Sequence, residues 1–384
     1  MDSARARQTF FATCAPGLEP VLHGELCALG MARVERQTGG VHFEGRIEDA
    51  WRANLELRSA VRVLWRLARF PARDSDELYA GVRAVGWERY LTPAGTFAVQ
   101  ARARESALDH TLFVAQRVKD GVVDALRARF GSRPSVDKES PHVRVQAHLF
   151  RDRCTLLVDT SGESLHKRGW RRFQGRAPLS ETLAAAIVMM SGWDRRAPLL
   201  DPFCGSGTIL VEGALLAADL APGLLRERFG FERLPGFDAA HWTALRAAAR
   251  ARIAPPRKLR LIGADRDPAV LAGAAANLAA AGLERAVELE AADAAEFAPR
   301  RGWNAWIVTN PPYGQRVGDE RELEPLYRAF GRRLREHCGG YRLALLSGSP
   351  LLSAALALEP ERRTPLRNGA LECELIELEL PRGT

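Results

Sequence analysis

Residues 303–314 have the sequence Trp303-Asn304-Ala305-Trp306-Ile307-Val308-Thr309-Asn310-Pro311-Pro312-Tyr313-Gly314. The apolar, β-branched run 305–309 is typical of a buried strand, and Asn310 stands at its carboxyl end. The two prolines remove two backbone donors, so the carbonyls before them have few local partners. A side-chain amide, a carbonyl and an aromatic ring within four residues could hold a planar ring that carries an exocyclic amine. An ordinary Asn-Pro turn is the alternative.

Size and composition set the broad class of the protein. A length of 384 residues predicts two or three domains, and 46% hydrophobic with 27% charged residues is ordinary for a globular protein. No apolar run approaches the roughly 20 residues that span a bilayer, and no apolar signal core follows Met1. We therefore expect a cytoplasmic protein with no membrane partner. The six cysteines lack disulfide or metal-ligand spacing, so we expect no metal site.

The excess positive charge is confined to the front half of the chain. Residues 1–178 contain 29 Lys and Arg against 21 Asp and Glu, whereas residues 179–384 contain 26 of each. The whole net charge of +8 therefore lies in front, which favours an anionic polymer as a partner. Only four of the 55 basic residues are Lys, a skew typical of GC-rich coding. The high pI alone is therefore weak evidence for an anionic partner.

The front half reads as two small α+β units, residues 1–48 and residues 49–160. The first contains a strand at 8–13, a helix at 18–29 and two strand-like pieces around Gly39-Gly40. The elements predicted for the second unit are a helix at 51–67, a strand at 96–102, a helix at 112–130 and strands at 143–149 and 154–159. Neither unit contains a recognisable nucleophile–base pair, so we assign both to binding.

Residues 161–178 form a basic linker in which cations alternate with aromatic rings. The rings are Trp170 and Phe173, and the cationic side chains are Lys167, Arg168, Arg171, Arg172 and Arg176. This pattern favours a nucleic-acid contact, with phosphates on the cations and a stacking option on the rings. A solvated connector is the alternative.

From residue 179 helices and strands alternate, which predicts a parallel sheet covered on both faces. The predicted strands are 199–200, 259–264, 286–290, 305–309 and 341–346. The predicted helices are 179–190, capped by Ser180, then 208–218, 268–281 and 323–337. The alternating tail 371–380 predicts an antiparallel strand with one exposed face. Residues 219–258, which include Pro255-Pro256, form an Arg- and Ala-rich insertion, and the sequence indicates no function for it.

A glycine-containing loop follows the first of these strands, Asp201-Pro202-Phe203-Cys204-Gly205-Ser206-Gly207-Thr208. Its two glycines let the backbone approach a ligand closely, and the following helix start supplies free N–H groups. Asp201 at the strand end can pair with an ammonium group. The third glycine of the dinucleotide fingerprint is missing, which argues against a nicotinamide or flavin nucleotide.

Acidic residues stand at the ends of the next two strands. Asp265 suits the two hydroxyls of a ribose, with a helix cap or a solvent-facing acid as the alternative, and Asp267 could equally be that cap. Asp293 could accept a hydrogen bond from the amino group of an adenine, or could simply be exposed. Because the carboxyl ends of neighbouring strands converge on one crevice in a doubly wound sheet, this series predicts a single site that ends at Asn310.

These motifs identify a family resemblance. The back half resembles class I S-adenosylmethionine-dependent methyltransferases that act on exocyclic amines, with the signatures at 201–208 and 310–313. The front half resembles the ferredoxin-like and THUMP domains of RNA-modifying enzymes. The whole chain is similar to bacterial large-subunit rRNA guanine-N2 methyltransferases, and the resembling stretches are 39–43, 165–171, 181–189 and 199–208. Some members carry a second methyltransferase unit behind this one; because the sequence ends at Thr384, we expect one methylation activity.

The resemblance implies a Rossmann-like α/β domain at 179–384, with a seven-stranded, mostly parallel sheet, behind ferredoxin-like and THUMP domains. It implies S-adenosylmethionine as methyl donor and 23S rRNA as partner during ribosome assembly, and it leaves the oligomeric state open. The catalytic residues it implies are Asn310, Pro311, Pro312 and Tyr313. The donor-binding residues it implies are Glu181, Asp201, Phe203, Cys204, Gly205, Gly207, Thr208, Asp265, Asp293 and Asn310. RNA contacts are expected from Lys167, Arg168, Trp170, Arg171 and Arg172.

In the implied reaction, the Asn310 side-chain oxygen and the Pro311 carbonyl accept the hydrogens of a guanine 2-amino group. This would direct the amine lone pair towards the methyl group, and Tyr313 would stack on the extruded base. The rival hypotheses are guanine-N2 methylation of tRNA, adenine-N6 methylation of RNA or DNA, and a non-catalytic rRNA-binding assembly factor. An NAD-linked oxidoreductase is disfavoured by the missing glycine.

Overall fold

The computed structural model describes residues 7–175, 178–254, 259–314 and 320–382. The described strands form two sheets, an eight-stranded sheet in the front half and a seven-stranded sheet in the back half. Arg176 of the linker and the Pro255-Pro256 pair lie outside the described residues. Within those ranges, no helix combines the length and apolarity needed to cross a membrane.

The front half is built on one mixed sheet. Its elements are β1 (Gln8–Thr13), α1 (Glu19–Ala28), β2 (Ala32–Gln37), β3 (Gly40–Gly45), α2 (Ile47–Glu56), β4 (Arg62–Pro71), α3 (Ser75–Arg83), β5 (Thr96–Arg104), α4 (Thr111–Phe130), β6 (Ser135–Val136), β7 (Val143–Phe150) and β8 (Arg153–Asp159). The strand order is β2-β3-β1-β4-β8-β7-β5-β6, and β4 pairs antiparallel with both β1 and β8. The two predicted units therefore share a sheet. The boundary placed between residues 48 and 49 falls inside α2, and the division into domains stays a prediction.

The helix predicted at 51–67 is wrong in its second half. Helix α2 ends at Glu56, and Leu57 adopts extended backbone with φ −66° and ψ 129°. The residues that follow are rich in β-branched and aromatic side chains, which favour strands. They enter β4 between two neighbours, so that Trp65 pairs with Phe10 on one side and Val158 on the other. Pairing on both edges satisfies the backbone of β4 and overrides the local helical spacing.

The back half has the predicted seven-stranded, mostly parallel sheet. Its elements are α5 (Glu181–Met190), β9 (Leu199–Asp201), α6 (Thr208–Ala217), α7 (Ala239–Ala251), β10 (Leu261–Asp265), α8 (Pro268–Ala280), β11 (Val287–Ala291), β12 (Trp306–Thr309), α9 (Glu320–His337), β13 (Arg342–Ser347), α10 (Pro350–Ala355), β14 (Arg362–Asn368) and β15 (Leu371–Glu379). The strand order is β11-β10-β9-β12-β13-β15-β14. The strands predicted from 199 to 346 and the cap at Ser180, which accepts a hydrogen bond from the Leu183 N–H, are confirmed.

The tail strand is antiparallel, as predicted, but it does not have one exposed face. Strand β15 lies between β13 and β14, and residues 375–378 are all buried. The prediction placed the alternating Glu side chains on a solvent-exposed face, whereas Glu377 is only 9% exposed. Ion pairs neutralise some of the Glu side chains of β15, such as that of Glu377 with Arg362 at 2.5 Å.

The arrangement of the parallel strands positions the site. Strands β11, β10, β9, β12 and β13 run in the same direction, so their carboxyl ends lie along one edge of the sheet. Helix α6 contacts β9 and β10, and α5 packs against α6. Both helices are apolar almost all round, as expected of helices covered by other elements.

Candidate active site

The loop between β9 and α6 has a backbone that only glycine adopts easily. Gly205 and Gly207 have φ values of +53° and +76°, in the left-handed region. The Cys204 N–H donates to the Ala264 carbonyl at 2.9 Å, which ties the loop to β10. A Cβ added to Gly205 would meet only the Phe203 carbonyl oxygen, at 3.9 Å. The space over Gly205 is thus open, and a ligand could approach the loop backbone there.

Asp201, the last residue of β9, is buried and bonded within the protein. Its Oδ1 accepts from the Thr309 hydroxyl at 2.7 Å and from the Phe203 N–H at 3.2 Å. Burial raises the pKa of Asp201 to about 7, and the nearby Asp265 carboxylate adds to the rise. A buried carboxylate with a raised pKa is stabilised by a cationic partner, which suits the ammonium that the sequence suggested.

Asp265 ends β10 and points back to the glycine loop. Its Oδ2 accepts from the Gly205 N–H at 3.2 Å, and its Oδ1 accepts from the Asp267 N–H at 3.0 Å. The cap of α8 is Asp267, whose side chain accepts from the Ala269 N–H. Asp265 is therefore not a helix cap, and its half-buried carboxylate remains suitable for ligand hydroxyls.

Asp293 follows β11 along the same edge of the sheet. It caps the 3₁₀ helix Ala294–Glu296 by accepting from the Ala295 N–H at 2.8 Å. Its neighbour Ala292 donates a backbone hydrogen bond to the Asp265 carbonyl at 3.2 Å. The structure thus brings Asp293, Asp265, Asp201 and Asn310 to successive strand ends in that spatial order.

Asn310 carries the one site oxygen in the described structure that is buried without a partner. Its Oδ1 has no hydrogen bond to any described residue, although Asn310 follows directly after the bonded Thr309. Leaving a buried acceptor unpaired costs about 1–3 kcal/mol. A ligand N–H that reached this oxygen would offset that cost, so the geometry is that of an acceptor prepared for a donor from outside the protein.

The rest of the Asn-Pro-Pro-Tyr motif is held by the protein itself. The Pro312 carbonyl accepts from the Tyr327 hydroxyl at 3.0 Å, and the Tyr313 hydroxyl accepts from the Asn368 side-chain amide at 2.7 Å. The Tyr313 side chain is only 8% exposed and its ring packs on Gly348. In this conformation it offers no free face, so stacking on a base requires the segment to shift.

The starts of α5 and α6 are joined by one linker arginine. Arg171 forms an ion pair with Glu181 at 2.8 Å and donates to the Thr208 hydroxyl at 3.1 Å. It also donates to the Ser206 hydroxyl at 3.3 Å. Glu181 and Thr208 are 3% and 4% exposed, so both support the glycine loop from below rather than stand open to solvent.

The remaining predicted donor-site residues, Phe203 and Cys204, have side chains that pack against the protein interior. The Phe203 ring packs edge-on against Phe330 of α9, with centroids 5.1 Å apart. Cys204 is 5% exposed, and burial raises the pKa of its thiol. The thiol is thus no nucleophile at neutral pH.

Two of the five predicted RNA contacts in the linker are wrong. Arg168 and Trp170 are each 1% exposed. Arg168 forms a buried ion pair with Glu212 of α6 at 3.4 Å and donates to the Leu165 and Arg58 carbonyls. The partner that buries Arg168 lies 44 residues away, which is why local sequence suggested an exposed cation. Lys167 and Arg172 are exposed, whereas Arg171 is paired with Glu181, and the RNA contacts of these three residues stay predictions.

The linker is also not a solvated connector. The amide oxygen of Asn277 in α8 accepts from the Arg172 and Phe173 N–H groups, and its NH₂ donates to the Phe173 and Ser206 carbonyls. The Phe173 ring packs on Gly273, where a Cβ would come within 2.2 Å of it. The described part of the linker is therefore packed against α8, and Asn277 joins it to the glycine loop.

Asn277, Thr309, Tyr327 and Asn368 support the site and were not among the predicted residues. Asn277 is fully buried in an otherwise apolar helix. The single amide side chain in that apolar helix is the sequence feature that could have indicated its supporting role. Thr309 was visible as a hydroxyl at the end of an apolar strand. Tyr327 and Asn368 lie in α9 and β14, far along the chain, and gave no local signal.

Three family models match the chain in order. A RlmL ferredoxin-like domain matches residues 9–64, a THUMP domain matches residues 72–159, and an RMKL-like methyltransferase domain matches residues 168–377. The first two share the eight-stranded sheet, and the third contains the candidate site.

Individual relatives agree with these matches. The ribosomal RNA large subunit methyltransferase K/L of Syntrophotalea carbinolica is 43% identical over 97% of this chain and 53% of its own length. This chain spans about half the length of the curated relatives it matches.

Solved structures show the same architecture. The crystal structure of SMU.472, described as a methyltransferase, in complex with SAH has a TM-score of 0.91 and 31% identity, covering 99% of this chain and 100% of that one. A structure from Listeria monocytogenes described as an N6-adenine-specific DNA methylase has a TM-score of 0.88 and 30% identity, covering 98% and 97%. Together with a domain match over more than half of its residues, these findings show that this chain belongs to the RMKL-like methyltransferase family.

Proposed function

We propose that this chain transfers a methyl group from S-adenosylmethionine to the exocyclic N2 amine of a guanine in 23S rRNA. The observation that carries the proposal is the buried, unpartnered Oδ1 of Asn310, at the strand end next to the glycine loop. An exocyclic amine is the kind of group that needs such an acceptor, because its hydrogens must be held while its nitrogen attacks.

The donor side of the crevice fits S-adenosylmethionine. Asp201 supplies a buried carboxylate for the ammonium, Asp265 supplies oxygens for ribose hydroxyls, and Asp293 supplies an acceptor for the adenine amine. The open space over Gly205 leaves room for the ligand against the loop backbone. That a neighbour of 31% identity holds SAH supports the same assignment here. The bound donor supplies an electrophilic methyl group on a sulfonium.

The residues of this chain then have to orient the amine. The guanine amine is a weak nucleophile because its lone pair is delocalised into the ring. Asn310 Oδ1 accepts one of its hydrogens, and the Pro311 carbonyl accepts the other. The lone pair is thereby turned towards the methyl group, and transfer relies on in-line positioning and electrostatics. Tyr313 stacks on the base once its segment has shifted from Gly348.

RNA is supported as the substrate by the THUMP domain and by the relatives' name. The matched relatives are named ribosomal RNA large subunit methyltransferases, and the excess positive charge of this chain lies in the half that precedes the catalytic sheet. We infer a cytoplasmic reaction on 23S rRNA during ribosome assembly.

Adenine-N6 methylation is the second candidate. A neighbour of 30% identity is described as an N6-adenine-specific DNA methylase, and an amide acceptor at a strand end serves the adenine amine as well as the guanine amine. The ring atoms beside the amine differ between the two bases, so the identity of the methylated nucleoside separates them.

Methylation of 23S rRNA fragments, followed by nucleoside mass spectrometry, tests the proposal. The expected product is N2-methylguanosine, formed only when S-adenosylmethionine is present. N6-methyladenosine as the product would overturn the guanine assignment. Donor binding without methylation of any RNA fragment would instead favour a non-catalytic assembly factor.

A further inference from the structure

A polar groove of about 1060 Å³ lies between the front half, the linker and the insertion. Its walls come from the ends of β7 and β8, from linker residues 161–172 and from insertion residues 225–233. None of Asp201, Asp265 or Asn310 lines it. The groove is therefore separate from the methyl-donor crevice.

The described part of the insertion, residues 219–254, is attached to the front half and forms one wall of the groove. Arg226 is 6% exposed and donates to the carbonyls of Ser164, Lys167 and Glu163 in the linker. The Phe231 ring stacks on Trp51 of α2 with centroids 5.4 Å apart, and its N–H donates to the Thr160 carbonyl at 2.8 Å.

Further contacts also attach the insertion to the front half. Arg252 forms an ion pair with Glu56 at 2.5 Å, and Arg233 donates to the Pro141 carbonyl at 3.2 Å. Phe229, Phe231 and Trp242 pack together inside the insertion, with Phe231 and Trp242 centroids 4.9 Å apart. The groove thus has a preformed shape and needs no folding of the insertion around a ligand.

The groove has an excess of positive charge. Seven Arg or Lys side chains and four carboxylates line it, a net charge of +3. Asp159 is paired with Arg62 and Glu163 with Lys167, so these four groups largely neutralise one another. Among the remaining lining groups, Glu139 and Glu227 are exposed carboxylates. Three accessible arginines also line the groove, one on each wall: Arg144 of β7, Arg172 of the linker and Arg228 of the insertion.

These three arginines are available for an external anion. Arg172 and Arg228 are exposed and Arg144 is half-buried, and none forms an ion pair with any residue in the described ranges. The large aromatic rings in the walls are not available, because Trp170 and Phe229 are each 1% exposed, which leaves only the imidazoles of His142 and His166. Cations without accessible rings suit phosphates rather than stacked bases.

The polarity of the groove disfavours an ordinary small-molecule site. Such sites are mostly apolar, whereas charged and polar side chains dominate the walls of this groove. One linker segment connects the groove to the crevice, since Arg172 lines the groove and the preceding Arg171 donates to Ser206 of the glycine loop.

We propose that this groove binds the sugar–phosphate backbone of the RNA strand that leads to the target base, with Arg228 giving the insertion a direct RNA contact. The identification of the bound polymer as RNA rests on the proposed function. It assigns the insertion a role that its sequence alone did not reveal.

The test compares the triple variant Arg144→Ala, Arg172→Ala and Arg228→Ala with Arg36→Ala. Arg36 is also exposed, but it lies on β2 at the far edge of the front sheet. The probe is a fluorescein-labelled oligouridine, and its affinity is measured over a range of salt concentrations without methyl donor. The full chain is used, and donor titration checks that each variant is folded.

The triple variant should lose affinity by about tenfold or more, because three charge-assisted contacts disappear. The slope of log affinity against log salt should fall by about 2, since each phosphate contact on a single strand contributes about 0.7. Arg36→Ala should change neither quantity. Unchanged affinity and slope in the triple variant would overturn the proposal.

Two further outcomes separate this proposal from the proposed function. If RNA binding depends on the three arginines but the product is not N2-methylguanosine, the groove stands and the guanine assignment falls. If N2-methylguanosine forms at an undiminished rate in the triple variant, the guanine assignment stands and the groove proposal is wrong. Equal binding of polyglutamate, lost equally in the triple variant, would assign the groove to an acidic protein and overturn an RNA site.

Discussion

The donor side and the acceptor side of the crevice differ in how their polar groups are satisfied. On the donor side, Asp201 and Asp265 accept hydrogen bonds from the protein, and Glu181 is paired with Arg171. On the acceptor side, the Asn310 amide oxygen is buried and has no partner among the described residues. The donor side is thus built by the fold, whereas the acceptor side is completed by its ligand.

This difference predicts opposite consequences of substitution. Residues that support the donor side take part in the folding of the protein, so changing them should reduce stability or donor affinity. Asn310 contributes an unsatisfied group to the folded state, so changing it should reduce turnover with little loss of stability. The following variants test this contrast, starting with the largest expected effect.

Arg168→Met should destabilise the protein by about 3–5 kcal/mol, because it leaves Glu212 buried without its partner. The adjacent Lys167→Met is the matched control. Its ion pair with Glu163 is exposed, at 59% and 69%, so the cost should be about 0–1 kcal/mol. Urea unfolding of the two variants measures both values. Equal losses would contradict the buried role of Arg168.

Asn310→Ala should reduce the methylation rate by about 10²–10³-fold, the usual loss when one positioned group at the reacting atoms is removed. Donor affinity and the free energy of unfolding should stay close to wild type, because Oδ1 bonds no described residue. Single-turnover methylation, donor titration and urea unfolding give the three readouts. A variant that methylates at the wild-type rate would rule out the acceptor role.

Asp265→Ala should weaken donor binding by about ten- to hundredfold, since hydrogen bonds to a charged group are lost and the Gly205 N–H loses its acceptor. The control is Asp267→Ala, two residues away, which removes only the cap of α8. That change should cost about 1 kcal/mol of stability and leave donor affinity unchanged. Calorimetry distinguishes the two, and equal affinities would argue against the ribose contact.

Donor affinity should fall as the pH decreases below about 7, the raised pKa of Asp201. Below that pKa the carboxyl is neutral and no longer attracts the ammonium, which itself stays protonated in this range. The decline should approach tenfold per pH unit. Asp201→Asn should bind weakly at every pH and show a flat profile. A flat profile in the wild type would exclude the pairing.

Thr309→Val should have the smallest effect. The Thr309 hydroxyl bonds Asp201 and holds the pKa of that carboxyl lower than burial alone would. Its removal should move the midpoint of the pH profile upwards by about 0.5–1 unit, which corresponds to one hydrogen bond. Affinity at pH 8 should change only severalfold. A downward shift would contradict the assigned direction.

The positions of the parallel strands along the chain and the series of strand-end residues could be predicted because they depend on local patterns. Apolar runs marked the parallel strands, and Asp201, Asp265 and Asn310 each followed one directly. The fold and the family were confirmed on this basis. The cap of α8 was likewise readable, because Asp267 precedes a proline at the first helical position.

The failures concern residues whose environment is set by distant partners. Arg168 is buried in an ion pair with Glu212, and residues 62–67 become a strand because β1 and β8 flank them. No local pattern contains those partners. The basic linker therefore suggested five RNA contacts, although only Lys167 and Arg172 of those residues are exposed.

A crystal structure of the protein with SAH and a 23S rRNA fragment would show which group holds the target amine. We expect Asn310 Oδ1 within about 3.2 Å of the exocyclic nitrogen of an extruded guanine, which is hydrogen-bond distance. An amide that is turned away from the base, with the guanine amine held by other groups, would contradict this expectation.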